Sequence, residues 1–563
     1  MELYRELRSA IEHAVPELAG AEFDFQPTPE NQPGDVGLAC FRLTKALGIN
    51  PPAAAQRIAA IEWPDIVREA TATGPYLNVT LDRDVMAARI LGEVIGLGDR
   101  YGSDKRGEGC HVLLEHTSIN PNASPHLGRA RNGLIGDSLA RLLRFLGYDV
   151  DVHYYVNDMG KQIGLLALQI EGREMPSFDG VLEEYVAANE HAANDPAFEQ
   201  RGFELLMKME QGDPEVATTF GHIVDVCLDG QLAVLERLGL AYDTFDREST
   251  FLKDPRMDEV MAVLKERGSL FTDGDGRTVA DLQPLGWERE EGRYIVLMRA
   301  NGSSMYMYRD IAYTLEKIER AKQHNFIVLG EDHTMYFEQL ALIIRAAGKT
   351  PPEAIHYAYI LLKEGKMSTR KGTVVLLSDF LDELTRRARE RVDEQWPDRP
   401  ADECEEIARL IGIGAVRFTI LSVRPNRNVI FDWDTALSFT GDSGPYIQYS
   451  CTRIASILRR WEGALPAAGD PASITHDSEW RLVMRLARVE SDVALAIESR
   501  NVAIIANAAL DISRMFSKFY TDCPVLAAED ERTRATRIML CVAVRQVLVN
   551  LLGILGIEAP ERM

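Results

Sequence analysis

Between residues 110 and 375 the sequence alternates strand-like and helix-like segments, and few folds tolerate that order. HVLLEH (111–116) is a short apolar run. Leu134, Ile135, Leu139, Leu142, Leu143 and Leu146 follow at helical spacing, and YDVDVHYYV (148–156) then alternates with a period of two. YIVLMR (294–299) and NFIVLG (325–330) are further strand candidates, and FEQLALIIRAAG (337–348) reads as a helix ahead of HYAYILL (356–362). A chain with this rhythm builds a parallel sheet covered by crossover helices, a Rossmann-like α/β domain. Ligands of such sheets sit at the carboxyl ends of strands, beside helix N-termini. An acidic helical stretch near 176–235 reads as an insertion in that domain.

Two further modules flank it. Residues 1–98 pass from helical spacing to the strand-like GPYLNVTL (74–81), and the linker GLGDRYGSDKRGEG (96–109) closes a small α/β unit. After residue 376 nearly every segment fits an amphipathic or buried helix, as in IARLIGIGAVRFTIL and RIMLCVAVRQVLVNLLGILG. The expected organisation is a multi-domain α/β protein. It has a small N-terminal α/β domain (1–98), a large parallel-sheet α/β domain (110–375) and a C-terminal all-helical bundle (376–563).

Composition narrows the function classes. No run of about 18 uncharged apolar residues suggests a membrane span, and the charged N-terminus lacks a signal-peptide core. The seven cysteines are scattered without a CxxC pair, which fits a reducing, cytoplasmic setting and argues against structural zinc. The net charge of −24 disfavours nonspecific nucleic-acid binding, so neither DNA nor a membrane is an expected partner. It leaves room for a shaped RNA partner, because exposed charges are screened beyond about 8–10 Å and basic stretches occur at 386–391, 89–106 and 363–372.

Two motifs lie where the sheet would place a ligand. NPNASPHLGRARN (120–132) joins the first strand to the first helix. Gly128 admits a flat base close to the backbone, the helix start offers unpaired N–H groups for phosphate, and His126 supplies a donor. GKMSTRKG (365–372) is a short cationic loop of the kind that closes over a triphosphate. Each stretch taken singly is equally compatible with an ordinary turn.

Together, and in this order, the two stretches resemble the HIGH and KMSKS signatures of class I aminoacyl-tRNA synthetases. YYVNDMGKQ (154–162), MYMYRDIAY (305–313) and FDWDTALSFTGDSGPYIQYSCTR (431–453) extend the resemblance to arginyl-tRNA synthetases, as do GDVGLACFRLTKALG near the start and PERM at the end. It covers nearly the whole chain. Two departures matter: Arg129 stands at the last position of HIGH, and Thr369 replaces the second lysine of KMSKS. The compensating lysine that some relatives carry ahead of HIGH is Ser124 here, so the missing charge is expected from Arg129, Arg370 or Lys371.

The resemblance implies activation of L-arginine by ATP, with Mg²⁺ on the triphosphate, and transfer to the 3′ end of tRNA(Arg). It assigns His126, Gly128, Arg129, Lys366, Ser368, Arg370 and Lys371 to catalysis, and His126, Gly128, Gly330, Lys366 and Met367 to ATP. Glu115, Asn120, Tyr306, Asp310 and His333 fall to arginine. Asn78, Tyr446, Tyr449, Tyr520 and Met563 fall to tRNA, with Asn78 at the tRNA elbow. A permanently charged planar guanidinium calls for carboxylates in a matching plane, and Tyr306 and Asp310 are four residues apart, on one face of a helix. Asp158 and Gln162 either line the same cleft or buttress it. No dedicated metal cage and no editing domain are expected, and the chain is expected to be a monomer. A nucleotidylyltransferase would not need nearly 190 residues after the basic loop. A cysteinyl enzyme would bring a Cys/His metal set, and a noncatalytic tRNA-binding paralogue would not need the Glu115, Tyr306 and Asp310 cluster.

Overall fold

The computed structural model describes residues 2–28, 32–121, 124–363, 375–464, 471–528 and 530–563. Its centre is a five-stranded, wholly parallel sheet made of β1 (His111–Glu115), β2 (Asp149–Val156), β3 (Thr244–Arg247), β4 (His324–Gly330) and β5 (Glu353–Tyr357). The spatial order is β5-β4-β1-β2-β3. Strand order therefore reverses between β1 and β4, and a crevice opens beyond their carboxyl ends. The apolar centre of β1, Val112, Leu113 and Leu114, is fully buried, as a central parallel strand requires.

Helix α1 (Leu127–Phe145) crosses from β1 to β2. It packs tightly because Gly133 and Gly136 leave room for Leu240 and the His116 ring. Helix α2 (Tyr306–Ala321) leads into β4, and α3 (Thr334–Ala346) links β4 to β5. The acidic insertion is three helices, Phe178–Asn194, Pro196–Gln211 and Pro214–Glu236, each started by a side-chain cap from Ser177, Asp195 or Asp213.

Two strand readings need correction. Tyr294–Met298 does not join the parallel sheet; it pairs antiparallel with Thr278–Asp281, which pairs in turn with Leu270–Thr272. The run HYAYILL is divided: β5 ends at Tyr357, and Ile360–Leu362 pairs in parallel with Val429–Phe431, a short strand inside the largely helical C-terminal region. A short apolar run says "buried strand" but not which sheet it enters.

The N-terminal unit is a four-stranded antiparallel sheet of Gln26–Pro27, Val36–Ala39, Tyr76–Leu81 and Val67–Thr73 in spatial order. The C-terminal region is a bundle whose main helices are α4 (Ala401–Leu421), α5 (Gly444–Arg459), α6 (Ala503–Asp522) and α7 (Glu531–Leu555). Helix α7 is long and apolar enough to cross a membrane, but 72% of its most apolar window is buried inside the bundle. A core helix of a large bundle is apolar for that reason.

Candidate active site

The crevice at the strand reversal holds a cavity of about 420 Å³, and α2 forms one wall of it. β1 delivers Glu115 to its rim. Immediately after, Thr117 and Ser118 take positive φ (73° and 44°), a cost that a β-branched residue pays only where neighbours fix the turn. Asn132 does the fixing: its Oδ1 accepts from Thr117 N at 2.7 Å and its Nδ2 donates to Val328 O at 2.9 Å, which ties the end of β1 to β4.

Three carboxylates converge on the cavity. Asp310, one turn into α2, accepts from the Tyr336 hydroxyl; burial first, then the nearby Glu115, raises its pKa. Glu115 is 6% exposed, and the Lys317 ammonium occupies its Oε2. Glu248 is 1% exposed; Arg309 Nε donates to its Oε1 at 2.5 Å, while its Oε2 has no partner among the described residues. Burial pushes the Glu248 carboxyl up to about 7, against the pull of Arg309. Tyr306 begins α2, is 50% exposed, and lies under the Arg309 guanidinium at 5.1 Å. The Tyr155 hydroxyl, on β2, is buried without a partner among the described residues and faces the same carboxylates. A pocket whose buried acceptors stand open is built for a ligand rich in donors.

The opposite end of the cavity is bounded by Arg129, Val328, Leu329, Gly330 and His333. His126 occupies the N-cap position of α1, and its backbone bridges to Leu376. Burial and Arg129 lower its pKa, so the ring is neutral at physiological pH. A Cβ on Gly128 would meet that ring at 3.0 Å, so glycine keeps the corner open. Gly330 closes β4, and His333 is exposed beside Asp332. Asn120 is exposed, with Asn157 Nδ2 3.5 Å from its Oδ1. It contributes with Asn157 and Tyr306 to a second cavity of about 620 Å³ between the strand ends and the insertion helices.

The structure thus brings Glu115, Asn120, Arg129, Tyr306, Asp310, Gly330 and His333 together around one cavity. Lys366, Met367, Ser368, Thr369, Arg370 and Lys371 lie outside the described residues. Ser124 is buried. Asp158 buttresses: its carboxylate accepts from Ser249 N at 2.8 Å and Ser249 Oγ at 2.6 Å, fixing the turn that carries Glu248. Glu248 is the residue that reading the sequence missed. Its signal was an acid directly after TFDR, but that strand has four residues and sits at the sheet edge.

The expected RNA-contacting residues divide by exposure. Asn78 is buried in its sheet, donating to Thr73 Oγ1 at 3.1 Å, and its neighbour Tyr76 forms an exposed edge-to-face pair with Phe41. Met563 is buried, its carbonyl accepting from Arg399 at 2.6 Å. Tyr446 is half-buried. Tyr449 and the exposed Tyr520 both lie against the Arg453 guanidinium, at 4.8 and 5.2 Å. The basic stretch 386–391 is not a free cationic surface: Arg386, Arg387, Arg389 and Arg391 all pair with acids on or beside their own helix.

A parallel sheet reversing beside an HxG turn at a helix start, with a helical bundle behind it, defines a class I aminoacyl-tRNA synthetase. The profile described as "tRNA synthetases class I (R), catalytic domain" matches residues 93–433. "DALR anticodon binding domain" matches 447–563, and "Arginyl tRNA synthetase N terminal domain" matches 1–81. The chain belongs to the arginyl-tRNA synthetase family. It is 38% identical over 590 residues to an arginine–tRNA ligase of Methanopyrus kandleri, covering 99% of this chain and 96% of that protein. It is 35% identical over 573 residues to that of Methanosarcina barkeri, covering 99% and 98%. The arginyl-tRNA synthetase of Thermus thermophilus superposes with a TM-score of 0.82 at 28% identity, over the whole of both chains.

Proposed function

We infer that the chain is an arginine–tRNA ligase whose 420 Å³ cavity takes L-arginine at its carboxylate end and ATP at the end lined by Arg129 and Gly330. One observation carries the assignment: Asp310, Glu248 and Glu115 line one cavity, and buried acceptors there lack donors among the described residues. A guanidinium, with five donors and no acceptor, completes that set as no neutral side chain does. Asp310 and Glu248 receive the guanidinium, Tyr306 covers it, and Glu115 with Asn120 takes the α-ammonium.

The substrate carboxylate is already ionised, so the attack on the α-phosphorus needs alignment and charge stabilisation rather than a nucleophilic side chain. The carboxylate oxygen bonds to phosphorus, pyrophosphate leaves, and arginyl-adenylate forms. A terminal ribose hydroxyl of tRNA(Arg) then attacks the adenylate carbonyl and AMP departs; the adjoining 620 Å³ cavity, which shares Asn120 and Tyr306, gives that terminus access. Mg²⁺ accompanies ATP, held chiefly by phosphate oxygens and water. His126, Gly128, Gly330 and His333 border the nucleotide. The signature loop supplies Lys366, Met367 and Ser368, and Arg129, Arg370 or Lys371 supplies the cation absent at Thr369.

The bundle (376–563) reads the anticodon through Tyr449, Tyr520 and Tyr446, aromatic stacking being worth about 1–3 kcal/mol per base. The N-terminal unit (1–98) reads the tRNA elbow through the surface that Asn78 supports from beneath, and Met563 acts from within the bundle by anchoring the C-terminus. The protein works as a cytoplasmic monomer. A charging assay with each amino acid and total tRNA tests the assignment: arginine alone is expected to be transferred, and transfer of another amino acid instead overturns it. Alanine substitution of Arg129, Arg370 and Lys371 in ATP–pyrophosphate exchange identifies the compensating cation.

A further inference from the structure

Helix α2 does more than carry Tyr306 and Asp310. Seven residues after Asp310, two turns along the same face, it presents Lys317. This lysine is 2% exposed, and its ammonium ends on Glu115 Oε2. The head also lies over the Tyr313 ring at 4.4 Å. That ring is itself immobilised: Tyr313 Oη donates to Asp246 Oδ2 at 3.0 Å, and the ring stacks on Tyr155 at 4.5 Å. The ammonium therefore has a fixed seat between a carboxylate and an aromatic face. Glu115 Oε1 takes no hydrogen bond from the described residues, and Glu115 lines the cavity.

A buried ion pair is a poor stability device, because desolvating both charges cancels most of their attraction. It is a good orienting device, because one oxygen is held while the other stays available. The charge balance points the same way. Three carboxylates line the pocket, and Lys317 is the buried cation set beside Glu115. Without Lys317 the buried Glu115 carboxylate would lose its cation and the contact that aims it.

We propose that Lys317 is a positioning residue: it tethers one oxygen of Glu115 and turns the other toward the substrate's α-ammonium. This rests on the reading that the cavity holds arginine with Glu115 at its α-amino end. Lys317 touches no reacting atom; it acts through Glu115.

The test compares L-arginine with 5-guanidinopentanoate, the same molecule without its α-amino group, as a ligand and as an inhibitor of arginine-dependent ATP–pyrophosphate exchange. Glu115→Gln is expected to weaken arginine binding about tenfold or more, the range of a lost charge-assisted contact, and to leave the analogue's inhibition constant within about twofold. Lys317→Met should copy that pattern, and the double variant should be no worse than Glu115→Gln alone. Analogue binding reports an intact guanidinium pocket, so a misfolded variant would lose both ligands. Should Lys317→Met fail to fold, Lys317→Gln keeps a neutral donor to Glu115 and should show an intermediate loss confined to arginine. Equal loss of arginine and analogue in Lys317→Met, or no loss, overturns the proposal. An unchanged arginine-to-analogue ratio in Glu115→Gln instead overturns the placement of arginine on which it rests.

Discussion

Two buried charge clusters border α1, and they differ in completeness. At the junction of the modules, Arg417 on α4 is fully buried, and every arm is used. Its Nε donates to Leu555 O at 2.6 Å, Nη1 donates to Leu238 O at 2.5 Å, and Nη2 pairs with Asp137 on α1. Asp137 also accepts from Arg141 at 2.8 Å, and Ser138 Oγ donates to Ile554 O at 3.0 Å. Arg131, two turns earlier, gives hydrogen bonds to the carbonyls of Ala358, Tyr359, Arg424, Pro425 and Arg427, while its Nε is buried without a partner among the described residues. In the cavity the same chemical groups are left half-served: Glu248 Oε2 and Tyr155 Oη are buried without partners among the described residues. The filled Arg417–Asp137 cluster fastens the modules, whereas the cavity leaves acceptors open where a ligand can reach them. Burial and charge alone do not separate the two; open acceptors that line a cavity do.

The largest expected effect tests this directly. Asp310→Asn should lower kcat/KM for arginine activation by about 10³-fold or more, because a buried acceptor site that loses its charge no longer pays for stripping water from a guanidinium. Its thermal midpoint should hardly move, since the substitution relieves a carboxylate that burial disfavours. Asp137→Asn should do the reverse. Breaking a buried pair by removing one charge costs about 3–5 kcal/mol, so unfolding should come several degrees earlier, with arginine KM within about twofold of the parent. Thermal melts and exchange kinetics on the two variants decide the matter. If Asp137→Asn raises arginine KM strongly, the junction is part of the site and the contrast fails.

The contrast also explains what was legible in the sequence. HVLLEH, the leucines of α1 and NFIVLG carry their period openly, so the sheet centre and its crevice follow from pattern alone. Glu115, Asp310 and Tyr306 stand at strand ends or one helical turn apart, where spacing is geometry. Glu248 was hidden because β3 is short and its partner Arg309 lies 61 residues away. The antiparallel placement of Tyr294–Met298 was hidden because it depends on which strands precede it, a nonlocal fact. Lys317 reads as one more charge on an amphipathic helix until the fold shows it buried against Glu115.

A smaller effect sharpens the ligand side of the comparison. Burial pushes the Glu248 carboxyl up to about 7. A bound guanidinium demands the ionised form, so binding below that pH must first expel a proton. Arginine KM should be flat above about pH 7.5 and rise roughly tenfold per unit below pH 7, while kcat, set by the occupied site, stays nearly level. Glu248→Gln should raise KM throughout and abolish this slope. A slope that survives the substitution would move the titrating group to Asp310, whose pKa burial also raises.

The smallest effect concerns His116, which lies between the two clusters and has features of each. It follows Glu115, and its ring fills the space that Gly136 leaves on α1. The Tyr242 hydroxyl donates to Thr117 Oγ1 at 2.8 Å, which frees the Thr117 proton for His116 Nδ1, also at 2.8 Å. Nε2 then carries the ring proton and has no partner among the described residues. Burial, outweighing the attraction of Asp137, lowers the pKa to about 4. The unfolded chain takes up a proton near pH 6.5 that the folded one refuses, so stability is lost as pH falls from 6.5 toward 4, by about 2 kcal/mol at pH 5. His116→Phe keeps a ring against Gly136 and removes that proton uptake. Its urea midpoint should therefore fall less than the parent's between pH 7 and pH 5. Arginine activation at pH 7.5 should stay within about twofold of the parent, because a neutral ring whose open atom is a lone N–H offers nothing to a cationic substrate. Loss of activation in His116→Phe would place that N–H among the open positions of the pocket, as a donor to the nucleotide or to the arginine carboxylate.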